Sequence, residues 1–396
     1  MAIEGKDQSG VSRRLRLGMV GGGQGAFIGA VHRIAARLDD CYELVAGAFS
    51  SDPDRARASA ADLRVPADRA YDSYEAMAAA EAARDDGIDA VAIVTPNHVH
   101  YPVAKAFLDA GINVICDKPL TTTLDDAMDL VATVERTGLI FGLTHNYTGY
   151  PMVRQMREMI AGGELGKVRL VQAEYAQDWL TTKIEDSGSK QAEWRTDPAR
   201  SGAAGCVGDI GTHAYNLADF VTGVPATEVL AELSIFGEGR RLDDNAGMLL
   251  RYANGARGML WASQVAPGNE NGLRLRVYGE KAGLSWAQEH PNHLTFTPYG
   301  EPPRLITRGG AGSGAAAAHA TRIPPGHPEG YLEGFTQLYT DLAEQISAKL
   351  EGRDPDPASL LVPTVRDGAV GVKFIEASVA SSAAGGVWTS LDLPTT

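Results

Sequence analysis

Three residues carry the types that proton transfer at a carbon-bound oxygen needs. Lys118 stands two residues after an apolar run, in Cys116-Asp117-Lys118-Pro119-Leu120. Asp209 and His213 lie four apart in Gly208-Asp209-Ile210-Gly211-Thr212-His213, which puts them on one face of a helix. A histidine titrates near neutrality and suits the taking of a hydroxyl proton. A lysine beside it lowers the cost of alkoxide character through its charge. The alternative for His213 is a structural core or cap role.

Oxidation of an alcohol also needs an electron-pair acceptor, and the N-terminal third offers a place for one. The run Leu17, Met19, Val20 reads as a short buried strand. Gly21-Gly22-Gly23-Gln24-Gly25 follows, and then Ile28, Val31, Ala35 and Leu38 recur at helical spacing. Glycines between a strand and a helix let backbone amides approach a pyrophosphate. Gly21-x-Gly23-x-x-Ala26 fits the dinucleotide fingerprint, and an alternative alignment uses Gly29 as the third glycine. Where an acid would bind the ribose of NAD, the chain reads Phe49-Ser50-Ser51-Asp52. Ser51 and Arg55 favour the 2′-phosphate of NADP, and Asp52 favours NAD. The cofactor is expected to be NAD or NADP, with NAD favoured.

The elements around these residues come in two textures. Strand and helix alternate from Leu15 to about Asn146, as in a doubly wound parallel sheet. After Tyr147 come longer β-like stretches, Val168 to Tyr175, Thr227 to Ile235, Ala246 to Tyr252, Arg257 to Gln264 and Leu273 to Tyr278. They predict an α+β domain with one large, mainly antiparallel open sheet. The expected division is a polar arm (1–14), a Rossmann domain (15–146), a substrate and oligomerisation domain (147–330) and C-terminal helices packing back on both (331–396). Gly309 to Ala320 reads as a mobile loop. Asp243-Asp244-Asn245 reads as a turn, and no metal site is expected.

With 396 residues, 44% hydrophobic and 22% charged, the chain is ordinary globular material for two or three domains. Its net charge of −14 argues against nucleic acid as a partner. Three scattered cysteines argue against a disulfide framework. No apolar run reaches the length of a membrane span, and the polar start lacks a signal-peptide pattern. A cytoplasmic protein is expected. An open sheet of this size predicts a homodimer or homotetramer.

Together these segments resemble the glucose-fructose oxidoreductase / inositol dehydrogenase / rhizopine-catabolism (Gfo/Idh/MocA) family. Those carrying the likeness are Val94-Thr95-Pro96-Asn97-His98-Val99-His100, the Asp-Lys-Pro triplet, Trp194-Arg195-x-Asp197-Pro198 and the Asp209 to His213 segment. The resemblance implies a Rossmann fold and NAD(P)-dependent oxidation of a secondary hydroxyl of a sugar, sugar derivative or cyclitol, by hydride transfer to nicotinamide. It implies that Lys118 bonds the reacting hydroxyl, that His213 accepts its proton, and that Asp209 orients the substrate. Asp117 replaces the family's glutamate and is expected to contact the cofactor. Thr95, Pro96, Asn97, His100, Asn146, Trp194 and Arg195 are further cofactor candidates, together with Gly21, Gly23, Gln24, Ala26, Phe27, Ile28, Ser50, Ser51 and Arg55. Asn216 stands where the family often has a second aspartate.

The substrate side is expected to include Tyr147, Arg195, Asp209, Asn216 and Gln177-Asp178-Trp179, a triplet similar to that of members acting on anhydrosugars. There Trp179 would stack on a sugar face. Lys183, Lys190 and Arg200 leave an acidic sugar open as the substrate. His327, in Gly326-His327-Pro328-Glu329-Gly330, either reaches the site or starts a helix. Two other readings are open. One is an NAD-dependent glycoside hydrolase acting by transient C3 oxidation, elimination, water addition and re-reduction, with His327, Glu329 or Tyr147 as the extra base. The other is a non-catalytic sugar or cofactor sensor, which the presence of both Lys118 and His213 disfavours.

Overall fold

The computed structural model describes residues 13–187 and 197–394. Its N-terminal unit is a parallel sheet of β1 (Leu15–Gly21), β2 (Tyr42–Ala48), β3 (Ala90–Val94), β4 (Asn113–Cys116) and β5 (Phe141–Leu143), in the order β2-β1-β3-β4-β5. The helices between them are α1 (Phe27–Leu38), α2 (Pro53–Asp62), α3 (Tyr74–Ala82), α4 (His100–Asp109) and α5 (Leu124–Thr137). Every residue of β3 is buried, because helices cover both faces. The chain leaves β1 toward β2 on one side and β3 lies on the other. The carboxyl ends of β1 and β3 therefore open a crevice where such sheets bind ligands.

The second unit is built on a larger sheet. Its strands are β6 (Val168–Ala176), β7 (Ala226–Ser234), β8 (Asn245–Tyr252), β9 (Arg257–Ser263), β10 (Gly272–Gly279), β11 (Ala282–Ala287), β12 (His293–Pro298), β13 (Arg304–Thr307) and β14 (Thr389–Ser390). Among the described residues the order is β13-β12-β11-β10-β6-β9-β8-β7-β14. Only the β6–β9 pair in this order is parallel. The expected strands are present within a residue or two at most ends, and β11 to β14 extend the sheet beyond them.

Along β8 and β9 burial alternates, so one face meets helices and the other faces outward. The helices are α6 (Pro151–Ala161), α7 (Pro198–Ser201), α8 (Thr212–Thr222), α9 (Ala315–His319), α10 (Tyr331–Glu351) and α11 (Val365–Ala383). Met152 and Met156 of α6, Leu217 of α8 and Phe374 of α11 share one core with Leu275 and Trp286 of the sheet.

The expected mobile loop at 309–320 is corrected. Part of it folds as α9, with Ala317 and Ala320 fully buried. Its start is tied to α6, the Gly314 and Ala316 amides donating to Gln155 Oε1 (2.6 Å) and Glu158 Oε2 (3.2 Å). The small side chains allow this close packing on α6.

The last two helices return to the N-terminal unit. Phe335, Leu338 and Leu342 of α10 share a core with Val31 and Ala35 of α1. Val365, Ala369 and Val372 of α11 pack with Leu120, Leu124 and Leu143.

Candidate active site

The glycine turn brings backbone against backbone. Gly21 and Gly22 adopt φ of 78° and 70°, a region that disfavours side chains. A Cβ on Gly29 would lie 2.4 Å from the Gly22 Cα. Gly29, rather than Ala26, therefore fills the place of close helix–strand packing, and Ala26 is the extended residue just before α1. The start of α1 has neither a side-chain cap nor an acidic residue in its first turn, which leaves its amides and positive dipole end available to an anion.

From this turn a cavity of about 530 Å³ runs to the second unit. Ala26, Phe27 and Ile28 line one end, and Thr95, Pro96 and Asn97, at the end of β3, line its side. Asp117 and Lys118 come from the end of β4, Asn146 and Tyr147 from the segment after β5. Asp209, His213 and Gln177 close it from the second unit. Thr95 Oγ1 and Asn146 Nδ2 are buried without a hydrogen-bond partner, and Phe27 is 62% exposed. Unpaired buried polar atoms and an exposed aromatic ring beside a free helix start fit a bound dinucleotide.

At the far end the Lys118 ammonium meets Asp209. Nζ lies 3.0 Å from Asp209 Oδ1 and also donates to the Asp209 carbonyl. Gln264 Nε2 donates to the other carboxylate oxygen at 2.8 Å. Asp209 sits in a π-helical turn, Val207–Gly211, that runs directly into α8 and His213. Asp243 holds the start of that segment, accepting from the amides of Gly205 (2.6 Å) and Val207 (2.8 Å). The neighbouring carboxylate, Asp244, accepts from the Phe236 and Gly237 amides and from Arg240. The acidic pair is thus occupied with backbone. Among the described residues no group of three or more His, Cys, Asp or Glu is placed to hold a metal ion.

Burial, followed by the Lys118 charge and His145, pushes the His213 pKa well below the ordinary histidine value. His213 is therefore neutral, with a lone pair to offer. Asp117 is held well below the usual carboxylate range: burial opposes its charge, but His32, Lys118 and His100 overcome that. Its Oδ1 accepts from Thr144 Oγ1 at 2.9 Å and lies 3.7 Å from His32 Nε2. An ionised carboxylate, a cation and a neutral base thus line one cavity.

Residues 15–145 match the oxidoreductase family's NAD-binding Rossmann fold, and residues 153–285 match the GFO/IDH/MocA C-terminal domain. The chain belongs to the Gfo/Idh/MocA oxidoreductase family. It is 36% identical to YfiI of Bacillus subtilis (strain 168), an uncharacterized oxidoreductase, over 96% of this chain and 97% of that protein. It is also similar to an oxidoreductase structure from Sinorhizobium meliloti, with 56% identity, a TM-score of 0.87 and coverage of 95% and 99% of the two chains. An inositol dehydrogenase homolog from Azotobacter vinelandii, solved with NAD+, gives 36% identity, a TM-score of 0.92 and coverage of 96% and 98%. That homolog has also been solved with NADH and myo-inositol. The N-terminal unit of this family member is an NAD-binding Rossmann domain.

Several expected contacts fall elsewhere. His100 is buried behind the cavity, its Nδ1 2.7 Å from the Pro119 carbonyl and its Nε2 2.9 Å from that of Thr95. It pins the loops after β3 and β4 together instead of lining the site. Gln24 turns away to Asp62 (2.7 Å), while its amide and the Gly23 backbone approach Ser59. Ser50 accepts from the Asp52 amide, and Asp52 caps α2 through the Arg55 amide. Gly21, Gly23, Ser50, Ser51 and Arg55 lie outside the cavity, toward the turn and α2.

On the substrate side only Gln177 of its triplet lines the cavity. Trp179 spends its indole N–H on Gln177 Oε1 (3.1 Å), and Asp178 accepts from the Gly268 amide at 3.4 Å. Asn216 lines a separate cavity of about 350 Å³ with Arg157 and Asp219. It stands nearly one turn beyond His213, about 4.5 Å farther along α8, past the end of the active-site cavity. His327 is exposed in a turn whose carbonyl binds Arg308, and Glu329 is buried against the same arginine at 2.8 Å. Trp194, Arg195 and Lys190 lie outside the described residues.

Sequence reasoning missed four further lining residues. Tyr175, Asn271, Tyr331 and Phe335 line the cavity. Tyr147 and Tyr175 share a hydrogen bond of 2.6 Å, and Asn271 Oδ1 accepts from Tyr175 (2.7 Å) and Gln177 (2.9 Å). Tyr175 is two residues before Gln177, which directly follows β6, so strand periodicity carried on by one residue could have flagged it.

Proposed function

We propose that the chain is an NAD-dependent dehydrogenase that oxidises a secondary hydroxyl of a neutral sugar, sugar derivative or cyclitol. The observation that carries this reading is the convergence of Lys118, Asp209 and neutral His213 at the end of a cavity that begins at the glycine turn. NAD supplies a two-electron acceptor when bound. Phe27, Ile28, Thr95, Asn97, Asp117 and Asn146 hold it in this reading. His213 takes the hydroxyl proton, Lys118 stabilises the negative charge growing on that oxygen, and Asp209 fixes the ammonium. The amide, carboxamide and phenol groups of Gln177, Asn271, Tyr147 and Tyr175 suit hydroxyls, each offering both donors and acceptors. Among the described lining residues Lys118 is the only cation, and Asp209 already neutralises it. This favours neutral polyols over acidic sugars. The binding of myo-inositol by the Azotobacter homolog agrees in chemical class.

No observation favours glycoside hydrolysis: His327 and Glu329 do not line the cavity, and Tyr147 is engaged with Tyr175. We also propose self-association through the outer face of the large sheet, which exposes Leu170, Leu249, Met259 and Trp261. The deciding experiment offers NAD+ with cyclitols, free sugars and aryl glycosides, following cofactor absorbance and released aglycone together. Net NADH formation with intact glycosides is expected. Aglycone release without net cofactor reduction would overturn the reading.

A further inference from the structure

His145 has no task in the chemistry above, yet it meets the proposed base directly. It follows β5, is 3% exposed and does not line the cavity. Its backbone is fixed, the Thr148 amide and hydroxyl both donating to its carbonyl at 3.1 and 2.9 Å. Its Nδ1 lies 3.5 Å from His213 Nδ1, with the rings edge-on at 87° and their centroids 5.3 Å apart. Tyr147 also packs edge-on against His213, at 4.9 Å between centroids.

A neutral imidazole has one N–H and one lone pair. To share a hydrogen bond across that 3.5 Å, two such rings facing through Nδ1 must divide donor and acceptor between them. If His145 donates, the His213 proton sits on Nε2, and His213 has no lone pair left for a substrate. If His213 donates, its Nε2 is bare and can take a proton, while its Nδ1–H stays bonded to His145. Burial and the nearby Lys118 charge push the His145 pKa down to about 3, so His145 stays neutral.

We infer that His145 is a positioning residue that holds His213 in the Nδ1–H tautomer, leaving Nε2 as the catalytic lone pair. The inference rests on the reading of His213 as the base. When the hydroxyl proton reaches Nε2, the His213 cation keeps its Nδ1–H bond to His145. The orienting group is thus an uncharged lone pair, where other catalytic histidines use a carboxylate.

The test uses the full chain with NAD+ and a polyol it oxidises. His145→Asn places a carbonyl oxygen near the former Nδ1, whereas His145→Leu offers no acceptor. His145→Leu should lower kcat by about 10²-fold while NADH affinity changes by less than about twofold, and His145→Asn should recover most of the rate. Imidazole-nitrogen NMR of the unaltered protein should show His213 protonated at Nδ1 and bare at Nε2, a readout independent of whether a variant folds. An Nε2–H signal for His213, or full kcat in His145→Leu, overturns the inference. His213→Asn separates the two levels. If it binds NADH as the parent does yet is inactive, the base reading stands whatever His145 does. If it keeps full activity, the base reading fails, and this inference with it.

Discussion

Replacing Lys118 by methionine removes a charge while keeping most of the side-chain volume. Lys118 Nζ stands 3.0 Å from Asp209 Oδ1, with the two side chains 13% and 18% exposed. At an effective dielectric of about 20, unit charges at that distance attract by about 5.5 kcal/mol. Desolvation of both groups cancels much of this, so the net value is smaller. Loss of one preorganised donor to a developing oxyanion costs about 2.7–4 kcal/mol, or about 10²–10³-fold in kcat. Lys118→Met is expected to lose activity on that scale, chiefly in kcat.

A second signature follows from His213. Its pKa lies well below the ordinary value, and the Lys118 charge is the largest cause after burial. His213 works in its neutral form, so activity in the unaltered enzyme should persist below the ordinary histidine pKa. Without the neighbouring cation His213 protonates more readily, and the acid limb of kcat/KM moves to higher pH. Initial rates of NADH formation across pH, with NADH binding followed by fluorescence, measure both effects. A variant with unchanged kcat, or one whose acid limb stays in place, would refute the reasoning.

Three further outcomes are expected. Gly29→Ala drives a Cβ into the Gly22 Cα at 2.4 Å, so NAD+ affinity measured by titration should fall about tenfold or more. Asp219 is half-buried, with its Oδ1 fully enclosed, and its pKa is raised from 3.8 to about 7, chiefly by burial. The folded state therefore holds this proton more tightly than the unfolded chain, and its contribution to stability is lost as pH rises through about 7. Asp219→Asn should melt higher than the parent above that pH, by of order 1–4 kcal/mol, and lose this advantage below about pH 4, as thermal melts would show. Light scattering should report an oligomer, and Trp261→Glu, on the outer sheet face, should dissociate it.

The N-terminal unit was legible because each of its decisions is local. A strand buried on both faces reads as an apolar run, as Ala90 to Val94 does, and Gly111 and Gly138 mark helix ends. The register of the fingerprint was not local. Only the crowding that a Cβ on Gly29 would meet, 2.4 Å from the Gly22 Cα, separates it from Ala26. The outer strands of the large sheet were hidden for another reason. Strand β12 alternates over only five residues, Leu294 and Phe296 between His293, Thr295 and Thr297, before Pro298 closes it, and β13 (Arg304–Thr307) shows no alternation. Their pairing partners, not their own composition, make them strands. Likewise Gly309 to Ala320 has His319 as its one large side chain, and its order comes from Gln155 and Glu158 on α6 and from the 2.7 Å contact of His319 with Asp341 on α10.

The same division runs through the site. Lys118 and His213 could be named because an ionisable residue just after a buried strand, or beside a carboxylate on a helix, is costly unless it has a task. The residues around them depend on distant chain meeting at one point. Asn271 reaches Tyr175 and Gln177 only because β10 pairs with β6, and Tyr331 reaches the cavity only because α10 packs along α1. Asn216 shows the converse: three residues after His213, it is close in sequence and on the same helix, yet the cavity ends before it. His145 is the hardest case, since its own neighbourhood reads as a strand end. Its partner lies 68 residues away in the other unit, and the contact matters only once both rings are neutral. That neutrality is set by burial and by Lys118, so the charge arrangement at one end of the cavity decides what a histidine behind it can do.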